Sequence, residues 1–192
     1  MEDKHRLIHI QNVEIRISNP EKLLFYDARI TKWDYVMAIS RIAPYLLPYC
    51  KDRLLTTIRF PDGPTGSSFY QKNAPKSRPD WLETYKMRGT EYILLNNIQT
   101  LVWVSNLACL EFHVSFNKIF NVNYPTELVF DIDPSTTDFH KVIEVALETK
   151  SILGELGLNC FVKTSGASGL QIYVPIQHKY TYEETRKVTE FI

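Results

Sequence analysis

The 192-residue chain has few cysteines, no excess of either charge and no long apolar run, and each lack removes a class of protein. Cys50, Cys109 and Cys160 are odd in number and form no CxxC pair. That excludes a disulfide framework, argues against a thiolate zinc site and predicts reduced thiols in a cytosolic protein. No apolar stretch approaches the roughly 20 residues that cross a bilayer, and the opening "MEDKHRLIHIQ" is too charged for the core of a secretory signal. Internal repeats and low-complexity tracts are absent. Basic and acidic residues number 22 each, so net charge argues against an obviously basic nucleic-acid binder. Neither a GxxxxGK[ST] nor a GxGxxG loop is present.

The balanced total hides a polar distribution. From Lys51 to Arg88 eight basic residues stand against four acids, and from Glu127 to Glu155 seven acids stand against two lysines. A segment suited to phosphates thus precedes one suited to cations, although two solvated faces would read the same way.

Periodicity predicts a mixture of strands and helices. "VEIRI" alternates as a strand over 13–17. In "SNPEKLLF", Asn19 is placed to cap a helix and Pro20 to open it. "TKWD", with an acid three residues after Thr31, matches a capping box. Tyr35, Ile39, Ile42 and Leu46 follow at helical spacing, and Pro44 is expected to kink or end that helix. Strands are expected over 54–60, 68–72 and 90–95, with a turn at "PDG" and a loop through "KNAPKSRPDW". A short helix over 100–107 and a strand over 110–116 follow. Residues 127–133 read as a strand stopped by Pro134. Phe139, Val142, Ile143, Ala146, Leu153 and Leu156 mark an amphipathic helix ending at Gly157. Strands over 160–164 and 170–174 flank a glycine turn. "TYEE" from Thr181 is a second capping box, and its helix is still running at Ile192, as expected of a fragment of a longer polypeptide.

Three constellations carry chemistry. In "FDIDPS" the alternation of a strand puts Asp131 and Asp133 on one face and Ile132 on the other. The two carboxylates are suited to Mg²⁺ or Mn²⁺ bridging to nucleotide phosphates, or equally to a solvated turn. An EF-hand loop is rejected, because it would need Gly in place of Thr136 and Glu in place of Val142. In "KTSGASGLQIYVP", the turn Ser165, Gly166, Ser168 and Gly169 can offer N–H and hydroxyl donors to phosphate, with Lys163 beside it, or be a plain hairpin. Lys22, Lys32, Arg59, Phe69, Tyr70, Lys72, Lys76, Arg78 and Trp81 interleave basic and aromatic side chains, the pattern of a phosphate track with base-stacking platforms or of a solvated rim over core aromatics. Among the histidines only His113, alternating with Glu111, is singled out, as a half-buried and satisfied ring. No Ser–His–Asp or Cys–His arrangement is defensible.

Taken together, "NPEKLLF", "TKWD", "IRFPDG", "FYQKNAPKSRPDW", "LACLEFH", "ELVFDIDPS" and "VKTSGASGLQIYVPI" resemble the polymerase domain of bacterial ligase D, of the archaeo-eukaryotic primase superfamily, from about Val13 to Ile192. The resemblance implies an α+β primase-type fold with mixed or antiparallel sheets flanked by helices, truncated at its C-terminus. It implies a DNA- and 5′-phosphate-binding part over 1–126 and a metal- and nucleotide-binding part over 127–192. Asp131 and Asp133 would bind the catalytic Mn²⁺ or Mg²⁺. Lys163, Ser165, Ser168, Gln171 and Arg59 would serve the nucleotide, Lys22 and Lys32 the 5′-phosphate of the downstream strand, and Tyr70, with Phe69 the weaker candidate, would stack on template DNA.

The implied activity is template-directed addition of nucleotides, often ribonucleotides, to a 3′ end in non-homologous end joining. The implied partners are gapped or broken DNA, NTP or dNTP, a Ku-type end-binding protein and a ligase domain, at a cytoplasmic, nucleoid-associated location with no membrane. Two departures matter. Ser168 and Gln171 stand where the family's turn commonly has Lys and His, which predicts weaker nucleotide binding rather than a dead site. The family's third metal-binding aspartate lies beyond this turn and has no counterpart here. A non-catalytic module that binds 5′-phosphorylated ends is therefore the rival reading, with a metal-dependent phosphoesterase the third.

Overall fold

The computed structural model describes residues 5–135 and 137–192. Thr136, invoked above against an EF-hand, lies outside the described residues. The chain divides into two compact units, Met1–Ser115 and Phe116–Ile192. The class is α+β, and every strand pairing among the described residues is antiparallel.

In the first unit β1 (His5–Ile10) and β2 (Val13–Ser18) form a hairpin, and β3 (Leu23–Phe25) pairs with β4 (Ile30–Thr31). Helix α1 (Lys32–Cys50) follows. A five-stranded sheet is built from β5 (Leu54–Arg59), β6 (Phe69–Gln71), β7 (Thr84–Met87), β8 (Thr90–Leu94) and β9 (Cys109–Val114), with β5 bonded to β6, β8 and β9. Helix α2 (Ile98–Asn106) connects β8 to β9. Val36, Ala43 and Cys50 recur at seven-residue spacing on α1 and are buried; Ala43 and Cys50, with Ile39, Leu46 and Leu47, pack with Leu55, Leu95 and Leu101, and Val36 packs with Ile15, Ile17 and Val102. This stripe holds the helix to the sheet.

Several expectations are corrected in this unit. "SNPEKLLF" is a turn leading into β3, not a helix. Asn19 takes a left-handed φ of 47°, and Lys22 N–H closes back on the Asn19 carbonyl at 3.1 Å. Of the two outcomes expected at Pro44, a kink or an end, the end does not occur, because α1 runs through both Pro44 and Pro48. Both prolines are exposed, so the carbonyls they leave unbonded can be hydrated while the buried stripe keeps the helix in place. Trp81, offered as a stacking aromatic, packs against two core clusters instead, where its area is spent on the interior.

In the second unit, β10 (Glu127–Ile132), β12 (Leu170–Pro175) and β11 (Phe161–Thr164) form a sheet in that order. Helices α3 (Phe139–Glu155) and α4 (Tyr182–Phe191) complete it. Leu128, Ile172 and Val174 from the sheet close a core with Leu153 of α3, while Phe130, Ile132 and Ala146 pack at its border. Both predicted capping boxes form, Thr31 with Asp34 and Thr181 with Glu184. In α3 the periodic positions divide, with Val142 and Leu153 buried and Phe139 and Ile143 exposed.

Candidate functional site

The first unit gathers Lys22, Lys32 and Arg59. The amide groups at the start of α1 have no partners within the helix. Lys32 N–H donates to the Lys22 carbonyl at 2.7 Å, and Trp33 N–H donates to the Pro20 carbonyl at 2.9 Å. Satisfying the helix end therefore brings "NPEK" onto "TKW" and sets the two lysines side by side.

Lys32 is 6% exposed, yet among the described residues its ammonium meets only neutral acceptors, Ser18 Oγ at 3.0 Å and the Asn106 carbonyl at 3.2 Å. Burial, then the positive charges of Lys22 and Arg59, push its pKa down from 10.5 to about 8. An ammonium has three donors, so one remains for an incoming anion. The α1 N-terminus adds a favourable dipole for that anion. Lys22 itself is held by Asp62 at 2.6 Å. Asp62 precedes Gly63, whose φ is +82° and whose Cβ would lie 2.0 Å from the Leu24 carbonyl oxygen, so only glycine lets "PDG" close on β3.

Arg59, expected at the nucleotide, belongs to this unit. Its Nε donates to the Leu107 carbonyl at 2.8 Å, a terminal nitrogen donates to Gln71 Oε1 at 3.0 Å, and its guanidinium lies 5.1 Å from the Phe69 ring centroid. Burial holds its pKa below the usual range. Phe69 thus has a ring face taken by Arg59, whereas Tyr70 is 73% exposed and offers an open ring. Arg78 is committed to Glu91 at 2.6 Å, which also accepts from Thr84. His113 is exposed rather than half-buried, because β9 turns it outward with Glu111, whose carboxylate is 2.8 Å from its Nε2.

The second unit carries the carboxylates. Asp131 and Asp133 are exposed, and Ile132 between them packs toward the core, as alternation requires. The sheet register aligns Asp131 with Gln171 and Gln171 with Lys163. Gln171 Nε2 donates to Asp131 Oδ1 at 3.3 Å, and Lys163 Nζ donates to Gln171 Oε1 at 2.9 Å.

The glycine turn is organised by Ser165, whose Oγ accepts from Ala167 N–H at 3.2 Å and Gly169 N–H at 3.0 Å. Of the N–H donors foreseen for phosphate, Gly169 is thus used inside the turn, as is Ser165, which donates to the Gly169 carbonyl at 3.0 Å, while the Ser165 hydroxyl proton stays free to donate. Ser168 is exposed on the same turn. A Cβ on Gly169 would lie 2.4 Å from the Ile132 carbonyl oxygen and 3.1 Å from Asp133 Oδ1, so glycine alone allows the turn to lean on the aspartate strand.

As a donor set, two exposed hard-oxygen carboxylates suit a divalent cation that keeps waters and shares substrate phosphates. Among the described residues, no group of three or more His, Cys, Asp or Glu side chains converges as a metal cage. Ser18, Asn106, Asp62 and Tyr173 were not foreseen. Asn106 and Ser18 are 88 residues apart in sequence and left no local signal, while Gly63 was the available pointer to Asp62.

The described residues thus combine an α+β fold with a cation cluster in one unit and a carboxylate and glycine-turn pair in the other. Residues 31–192 match the family model described as LigD, primase-polymerase domain, and the chain belongs to that family. It is 36% identical over 181 residues to the Bifunctional non-homologous end joining protein LigD of Bacillus subtilis (strain 168), covering 93% of this chain and 30% of that protein. It is 32% identical over 172 residues to the Multifunctional non-homologous end joining protein LigD of Mycolicibacterium smegmatis, covering 84% and 22%. The chain thus spans less than a third of the length of these curated relatives. A solved structure, the polymerase domain from Mycobacterium tuberculosis Ligase D in complex with DNA, aligns with TM-score 0.76 and 29% identity over 85% of this chain and 61% of that one. No helix among the described residues is long and apolar enough to cross a membrane.

Proposed function

We propose that the chain is the template-directed polymerase part of a cytoplasmic, nucleoid-associated end-joining repair protein, adding nucleotides to a 3′-hydroxyl at a 5′-phosphorylated gap or break. The observation that carries this reading is the row Asp131–Gln171–Lys163 beside a glycine turn that leans on Asp133. Asp131 and Asp133 would hold Mn²⁺ or Mg²⁺, which when bound supplies charge stabilisation at the triphosphate and acidifies the attacking hydroxyl. Lys163 faces the triphosphate with a positive charge. Ser165 and Ser168 donate hydroxyl protons to its oxygens, and the unused Gln171 N–H is available to the same group. The 3′-oxygen attacks the α-phosphorus in line, its bond forms as the bond to pyrophosphate breaks, and the hydroxyl proton leaves to solvent.

In the first unit, Lys22 and Lys32 would bind the downstream 5′-phosphate, Arg59 would serve the nucleotide, and Tyr70 would stack on template. A Ku-type end-binding protein and a ligase domain are the partners that this role calls for.

The test is primer extension on a gapped, 5′-phosphorylated duplex with Mn²⁺ and ribonucleotides, using this chain and the full gene product. Extension lost in Asp131→Ala supports the reading, and extension that survives that change, or none from the full product, overturns it. The rival, a non-catalytic module for 5′-phosphorylated ends, is favoured by the lack of a three-ligand cage among the described residues. It predicts tight phosphate-dependent binding with no extension from either protein.

A further inference from the structure

We infer that Gln171 is a positioning residue whose amide keeps the Lys163 ammonium off the Asp131 carboxylate, leaving one for phosphate and the other for a cation. The inference rests on the polymerase reading above. Adjacent strands lie about 4.8 Å apart, so the backbones of Asp131 and Lys163, on either side of Gln171, are separated by about 10 Å. Extended Lys and Asp side chains together can close that gap, and an ion pair between them would occupy both groups.

Gln171 fills the space and satisfies each charge with the matching end of its amide. Its Oε1 accepts from Lys163 Nζ at 2.9 Å and from the Tyr173 hydroxyl at 3.2 Å, while Nε2 donates to Asp131 at 3.3 Å. Amide nitrogen cannot accept from an ammonium, and amide oxygen cannot donate to a carboxylate, so the orientation is set by its neighbours. Tyr173 is itself steadied by Phe116, packed edge-on with ring centroids 6.5 Å apart, and Lys163 Nζ lies 5.9 Å from the Tyr173 ring. The amide is therefore oriented from three sides and carries no charge that would compete with either neighbour.

The experiment is Mn²⁺ titration by electron paramagnetic resonance, without nucleotide, on the wild-type chain and on Asp131→Ala, Gln171→Ala, Lys163→Met and the Gln171→Ala/Lys163→Met pair, each with a thermal melt. Asp131→Ala is expected to remove the bound signal. Gln171→Ala is expected to weaken Mn²⁺ about fivefold, the size of an exposed ion pair, as Lys163 moves onto Asp131. Lys163→Met should then recover in the Gln171→Ala background more affinity than it adds to wild type, a rescue that loss of packing alone would not produce. Gln171→Ser repeats the test if Gln171→Ala unfolds. Unchanged affinity in Gln171→Ala, or equal effects of Lys163→Met in both backgrounds, overturns the inference alone. Mn²⁺ binding that does not depend on Asp131 overturns the metal assignment and the inference together.

Discussion

The two units assemble charge in opposite ways. In the first, Lys32 is buried, its acceptors are neutral, and burial, followed by the charges of Lys22 and Arg59, lowers its pKa. In the second, Asp131 and Asp133 are exposed, and an amide bridges Asp131 to its opposite charge on the far strand. A buried ammonium without a counter-charge is costly until an anion arrives, so the phosphate role proposed for the first unit draws on burial. Exposed carboxylates are already solvated, so the second unit depends on register and spacing more than on burial.

If that contrast holds, the two units break separately. Asp131→Ala should lower the rate of nucleotide addition at least about 100-fold, the loss of several kcal/mol of metal-derived stabilisation. Affinity for a 5′-phosphorylated duplex, read by fluorescence anisotropy, should stay unchanged. A parallel loss of binding would dissolve the comparison.

Next in size, Lys32→Met should reduce the 5′-phosphate-dependent part of DNA affinity by about 10- to 100-fold, the worth of a charge-assisted hydrogen bond. The melting temperature should hold or rise, since an uncompensated buried charge is removed. A protein that melts earlier and binds as before would show that Lys32 serves packing alone.

The pH dependence is smaller but carries a definite sign. Below pH about 8 Lys32 is charged both in the folded and the unfolded chain, and its burial penalty is fully present. Between about 8 and 10.5 the unfolded chain holds the proton and the folded one does not. Unfolding free energy contributed by this group therefore rises with pH in that window. Phosphate binding runs the other way and should fall up to about tenfold per pH unit above 8 as the ammonium is lost, measured as the affinity ratio between 5′-phosphate and 5′-hydroxyl duplexes. A ratio that stays flat to pH 10 would remove Lys32 from the phosphate site.

The smallest expected effect belongs to Asp62, which engages Lys22 in a half-exposed pair. Freeing Lys22 by Asp62→Asn should tighten 5′-phosphate binding by about two- to fivefold, within the range of surface ion pairs. Weaker binding in that variant would mean that Asp62 aims Lys22 rather than competing for it.

Local pattern carried much of the architecture. Both capping boxes, the strand ending at the aspartates and the strands around the glycine turn were legible because caps, alternation and glycine act over a few residues. Pattern failed where a distant partner decided the outcome. "SNPEKLLF" looked like a helix start because Asn and Pro favour one, yet the Pro20 and Lys22 carbonyls are taken by the start of α1. Trp81 looked like a nucleic-acid platform because basic residues surround it in sequence, but two core clusters claim its ring.

The sequence by itself determined the fold class, the family and the identity of the charged and aromatic groups, since these follow from short-range periodicity and ordered motifs. Tertiary structure decided which groups meet and in what state. Ser18 and Asn106 reach Lys32 only after β2, α1 and α2 pack, and burial then tunes the ammonium. Gln171 stands between Asp131 and Lys163 only after three strands fall into register. Hydrogen bonds and desolvation depend on distances across the fold, which no local spacing encodes.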